Sequence, residues 1–196
     1  MSFRSNVAVL AAAIALASPV TAASAQTKSE LVESQSLTTA TFRRVIEVRF
    51  DAPPVDIIPL LLTRVDLFDP TIAEVRFDHS ESITPGELNI GSRRICIFTD
   101  GRELVEPILV YNPPHTYAYT VDAEASTMTL PVSDIVLSYA FEPDGDGSLL
   151  TVSAFYDPSI PGTGPVIEPV LTGTLRRTFQ TAADVFGGAY LGDAKP

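Results

Sequence analysis

The chain changes hydrophobic period once, shortly after residue 160, and that change limits its possible folds more than any other feature. From Gly91 to Tyr156 apolar residues come in short alternating runs, separated by Asp100-Gly101, Asn112-Pro113-Pro114 and Pro143-Asp-Gly-Asp-Gly147. That is the pattern of antiparallel strands joined by tight turns. Beyond Pro161 and Pro165 the spacing becomes three and four: Val170, Leu171, Thr174, Leu175, Phe179, Ala182 and Phe186 recur, with Arg176, Arg177, Gln180 and Asp184 largely between them. The spacing predicts one long amphipathic helix, roughly Val166 to Phe186, closed by Gly187-Gly188. A lone helix that follows about five or six strands has to bury its stripe on their sheet.

Upstream, Arg44 to Phe50 alternates with Ile46, Val48 and Phe50 on one face, a half-buried strand that Asp51-Ala-Pro-Pro54 ends. Asp56 can cap a short helix through Leu62, with Pro59 in its first turn, where a missing N–H costs nothing. A second short helix or turn over Arg64 to Ile72 precedes strand alternation from Glu74 to Asp78. The expected order is strand, two short helices, meander, long helix.

The first 25 residues read as a secretory leader: Arg4, an apolar run from Val7 to Ala17, a break at Pro19, and Ala23-Ser24-Ala25 before Gln26. The run is too short to span a bilayer, so the mature protein has no expected membrane span, and its expected place is the periplasm or the exterior. Residues 26–41 are polar and aperiodic, an expected flexible tether, followed by one domain over 42–190 and a tail at 191–196. Thirteen Lys and Arg face 24 Asp and Glu, a charge of −11 that becomes −12 when Arg4 leaves with the leader. So acidic a surface repels phosphate backbones, which argues against nucleic acid as a partner. One cysteine and two histidines leave Cys96 without a disulfide partner and cannot close a structural zinc site without carboxylates. There is no P-loop, G-x-G-x-x-G or G-x-S-x-G; Asp144-Gly-Asp-Gly147 has Phe155 where a calcium loop needs its last acid, so it reads as a hairpin turn.

The residues also resemble a family. Asp51-Ala-Pro-Pro54, Gly91-Ser-Arg-Arg94, Asp100-Gly-Arg-Glu-Leu-Val-Glu106, Tyr111-Asn-Pro-Pro-His-Thr-Tyr-Ala-Tyr119 and Phe141-Glu-Pro-Asp-Gly-Asp-Gly147 together resemble the SRPBCC superfamily, with the START or Bet v 1-like helix-grip fold, and within it the polyketide cyclase/dehydrase-like group. Phe68-Asp69-Pro70 stands where such proteins often place a Trp. The resemblance implies an α+β fold in which a curved antiparallel sheet of about six to seven strands, two short helices and a long C-terminal helix enclose a cavity. It also implies a hydrophobic or aromatic small molecule as partner; no cofactor is expected, because enolisation and dehydration need only positioned acid and base groups. Members include carriers, cyclases and lyases, so the fold leaves function open.

Hairpin arithmetic assigns the inner face. A two-residue Asp100-Gly101 turn pairs Ile97 with Leu104, Ile95 with Glu106 and Arg93 with Ile108. Arg93, Ile95, Ile97, Leu104, Glu106, Ile108 and Val110 then face inward, and Arg94, Cys96, Phe98 and Tyr111 outward. The same parity turns Tyr117, Tyr119 and Val121 inward, and a four-residue Pro143 loop matches Ile135, Leu137, Tyr139 and Phe141 with Tyr156, Ala154, Val152 and Leu150. The expected ligand wall is therefore Arg93, Ile95, Ile97, Ile108, Tyr117, Tyr139 and Tyr156, with Phe179 from the helix. Glu106 and Tyr119 are the candidate catalytic pair, a general base and a proton donor or carbonyl anchor, for cofactor-independent cyclase, dehydratase or lyase chemistry. Glu106 is equally a structural partner for Arg93, and inward tyrosines are more often core than catalytic. His115 at a turn has no evident orienting partner, and His79, in the polar Asp78 to Gly91 loop that could act as a lid, reads as a solvated histidine. A binding protein, such an enzyme, and a periplasmic interaction module are the three readings left open.

Overall fold

The computed structural model describes residues 36–194; the expected leader and most of the expected tether lie outside the described residues. The elements run β1 (Phe42–Phe50), α1 (Pro54–Thr63), a 3-10 turn (Val65–Leu67), β2 (Ile72–Asp78), β3 (Arg93–Phe98), β4 (Glu103–Asn112), β5 (Thr116–Thr120), β6 (Val132–Asp144), β7 (Gly147–Pro158), α2 (Gly164–Phe186) and β8 (Gly188–Asp193). The strands form one eight-stranded antiparallel sheet in the order β2-β3-β4-β5-β6-β7-β1-β8. Register shifts between Glu47 and Val48, Ile72 and Glu74, Ile108 and Val110, and Ser133 and Val136 bend and twist the strands locally. Asp134 sits at the last of these with φ of 47°, and its carboxylate accepts from the Thr39 N–H and hydroxyl.

The main core lies between the sheet and the two helices. It joins Ile46, Val48 and Phe50 of β1, Ile57, Ile58, Leu61 and Leu62 of α1, Tyr117, Tyr119, Tyr139 and Phe141 of the meander, and Leu175, Phe179, Ala182 and Ala183 of α2. A smaller cluster of Val132, Ile135 and Tyr156 lies under the first half of α2, against Ile167 and Leu171. Gly164 lets that half approach closely, since a Cβ there would meet the Phe42 ring at 2.7 Å.

Four local expectations need correction. α1 begins two residues before Asp56, which lies in its first turn without capping it. Pro59 is then inside the helix, opposite the carbonyl of Val55, an exposed residue. Over Arg64 to Ile72 the structure has, of the two alternatives, the turn: a 3-10 turn at Val65–Leu67. Val170 is exposed rather than part of the buried stripe, because the stripe narrows to Ile167 and Leu171 in that half of α2. The chain after Gly187 forms an eighth strand that pairs with β1; its six residues include two glycines, too weak a pattern to read as a strand.

Candidate functional site

The hairpin between β3 and β4 decides what faces the interior. Its turn has three residues, Thr99-Asp100-Gly101, with Phe98 N–H donating to Arg102 O at 2.8 Å and Gly101 at φ of 84°. Compared with a two-residue turn this slides β3 by one residue, pairing Arg94 with Glu106 and Cys96 with Leu104. A one-residue slip turns every side chain of a strand to the other face. Arg94, Cys96 and Phe98 therefore point inward with Leu104 and Glu106, while Arg93, Ile95 and Ile97 are on the opposite face. Arg93 pairs there with Glu81 at 3.0 Å, not with Glu106. The bulge at Ile108 similarly brings Tyr111, rather than Val110, against the core.

Between the sheet, the α1–β2 connection and α2 lies a cavity of about 190 Å³. Leu61, Val65, Phe68 and Asp69 line it from one side, Thr174, Leu175, Thr178 and Phe179 of α2 from another. The sheet contributes Arg94, Cys96, Phe98, Leu104, Glu106, Tyr119, Leu137 and Tyr139. Of the expected site residues, Glu106, Tyr119, Tyr139 and Phe179 come together here. Tyr117 and Ile108 are buried beside them in the core, off the cavity wall, and Tyr156 belongs to the smaller cluster, stacked on Phe42 at 5.6 Å. His79 bonds Ser92 at 2.9 Å and, like His115, does not line the cavity. Arg94, Cys96, Phe98 and Phe68 were not among the expected site residues; the three on β3 could have been found only by weighing a three-residue turn with glycine at its left-handed position.

The polar groups form one connected set. Arg94 and Glu106 are each 4% exposed, and Arg94 Nε donates to Glu106 Oε2 at 2.7 Å. The guanidinium lies over the Tyr119 ring, 4.3 Å from its centre. Its Nη1 donates, at a long 3.5 Å, to the Leu62 carbonyl in the last turn of α1, where carbonyls lack helical partners. The Cys96 thiol also donates to Glu106 Oε2, at 3.3 Å. The Tyr119 and Tyr139 hydroxyls bond each other at 2.8 Å, and Tyr117 stacks on Tyr139 with ring centres 4.3 Å apart. The buried Tyr117 hydroxyl has no partner among the described residues.

Electrostatics follows from this burial. Burial alone would depress the Arg94 guanidinium; its neighbours, Glu106 first, more than reverse that and hold it well above its ordinary value. Burial pushes the Cys96 thiol up, reinforced by the Glu106 carboxylate, so it is a neutral, weak donor rather than a nucleophile. Burial likewise raises Tyr117 and Tyr119, and pushes Tyr139 up to about 12 against the lowering effect of Arg94. All three phenols are neutral, and Tyr119 and Tyr139 act as hydrogen-bonding groups toward each other. The arrangement is an aromatic and aliphatic chamber with one neutralised ion pair in its wall. Among the described residues no cluster of His, Cys, Asp and Glu is arranged to hold a metal, and no helix is long and apolar enough to cross a membrane.

A larger groove of about 490 Å³ lies between β1, α2 and the end of β8. Two of its arginines are taken up in the pairs Arg44–Glu168 and Arg176–Asp193. Size therefore does not single it out; the smaller cavity has the buried polar groups on an apolar wall that ligand sites combine.

The sequence profile described as polyketide cyclase / dehydrase and lipid transport matches residues 39–187. No curated protein matches the chain. Among solved structures it resembles the protein XoxI from Bacillus cereus, with a TM-score of 0.58 at 13% identity over 74% of this chain and 96% of that one. It also resembles Ara h 8.0201, with a TM-score of 0.54 at 17% identity over 73% and 95%. A third likeness is to the ginseng major latex-like protein 151 from Panax ginseng, with a TM-score of 0.54 at 17% identity over 74% and 98%. At such identities these likenesses show the shared helix-grip fold.

Proposed function

The chain belongs to the polyketide cyclase / dehydrase and lipid transport family, and on that premise we propose that it is an exported protein that binds a hydrophobic or aromatic small molecule between its sheet and α2. One observation carries this reading: the cavity wall is largely aromatic and aliphatic, and its single buried cation is already matched by Glu106 at 2.7 Å. Burying an apolar molecule there gains the transfer free energy of its surface without stranding a charge. We rank binding above acid–base turnover. Oε2 of Glu106 is committed to Arg94 and Cys96, and the Tyr119 hydroxyl to Tyr139, so of the expected catalytic pair only Glu106 Oε1 is without a partner among the described residues.

Thr178 lines the cavity from α2, so Thr178→Phe would fill it from a helix that keeps its own backbone. Equilibrium dialysis of the full chain against a panel of uncharged aromatic and aliphatic compounds is expected to find one-to-one binding that this variant removes. Binding that survives the substitution, or no binding across the panel, overturns the reading. Export rests on the leader pattern of residues 1–25. The mass of protein recovered outside the cytoplasm is expected to begin at Gln26; a full-length mass there would contradict cleavage after Ala25.

A further inference from the structure

We infer that the cavity takes one uncharged aromatic ring bearing a hydroxyl, and turns away carboxylates, long alkyl chains and fused rings. The inference rests on the small-molecule reading above and gives it a ligand class.

Size comes first. Pockets for drug-sized ligands commonly span about 300–1,000 Å³, and an engineered dry cavity of about 150 Å³ is enough for benzene. At about 190 Å³ the chamber matches one ring and a small substituent, so a second fused ring or a lipid tail would leave much of its apolar surface outside. Its walls suit a ring: Phe68, Phe98 and Phe179 line it with Tyr119 and Tyr139, and the Tyr139 and Phe179 rings are tilted at 5.9 Å, leaving both edges and faces for an offset contact.

Charge selects the substituent. The wall holds one cation, Arg94, and two carboxylates, Glu106 and Asp69. Glu106 already neutralises Arg94, while the half-exposed Asp69 carboxylate accepts from the Thr71 N–H and hydroxyl and has no ion pair among the described residues. A ligand carboxylate entering here would lose its water and meet a net negative wall, both unfavourable. A hydroxyl meets the opposite situation. Glu106 Oε1 accepts no hydrogen bond among the described residues, while Oε2 accepts two. A ligand O–H can donate to Oε1 without disturbing the Arg94 pair, and such a charge-assisted bond is stronger than a neutral one.

The test is calorimetric titration of the full chain with 4-methylphenol, 4-methylbenzoate, 2-naphthol and hexadecanol. 4-Methylphenol is expected to bind one-to-one, at least about tenfold more tightly than each of the other three. Asp69→Asn is expected to narrow the gap between the phenol and the benzoate severalfold, because it removes the unpaired wall carboxylate. Benzoate binding equal to that of the phenol, or a gap that Asp69→Asn leaves unchanged, overturns the charge selection. Tighter binding of naphthol or hexadecanol overturns the size selection while the small-molecule reading stands. If none of the four binds, that reading falls and the ligand class falls with it.

Discussion

Arg94 and Glu106 form a pair almost without solvent, and the cost of separating them is set by the charge left behind rather than by the bond between them. Arg94→Met is therefore expected to destabilise the protein by about 3–5 kcal/mol, because Glu106 would keep a buried charge with only a thiol donor. Adding Glu106→Leu should recover most of that loss, since an apolar pair of similar volume is often neutral or stabilising. Urea unfolding of the two variants checks both statements. A single substitution costing less than about 1 kcal/mol would mean that Glu106 is solvated, and the description of a dry wall would be wrong. At this scale the sequence was half legible. Glu106 could be placed inside because it alternates with Leu104 and Ile108, whereas the choice between Arg93 and Arg94 depended on a turn length that neither arginine encodes.

The two hairpins of the meander show why elements were more legible than their registers. For β6 and β7 the expected matches of Leu137 with Ala154, Tyr139 with Val152 and Phe141 with Leu150 are the observed ones, because a four-residue loop and the observed Asp144–Gly147 closure have the same parity. For β3 and β4 the expected two-residue turn and the observed three-residue turn differ in parity, so the same reasoning put Arg93, Ile95 and Ile97 on the wrong face. Bulges have the same consequence at shorter range: the one at Ile108 exchanges Val110 for Tyr111. α2 was legible because its stripe repeats over 23 residues, long enough that one misplaced Val170 does not change the reading. β8 had no such redundancy. Periodicity identifies an element, while a single inserted residue decides which side chains it presents.

At the scale of the whole molecule, the change of period near residue 160 predicts the architecture that is found: a curved antiparallel sheet closed by one long helix, with the apolar faces of both turned toward a shared interior. Function is less legible, because the helix-grip fold supplies a chamber and leaves its contents to a few wall residues. Here those residues make the chamber small and aromatic, with Arg94 matched by Glu106 and the Asp69 carboxylate at its edge, and these features support the binding role proposed for it. The most direct measurement is amide shift mapping of the isotopically labelled full chain, titrated in turn with 4-methylphenol and hexadecanol. The account predicts saturable shifts for at least one of them, centred on Cys96, Tyr119, Tyr139, Leu175 and Phe179. No saturable shift with either compound, or shifts confined to the charged groove at Arg44, Glu168 and Arg176, would contradict it.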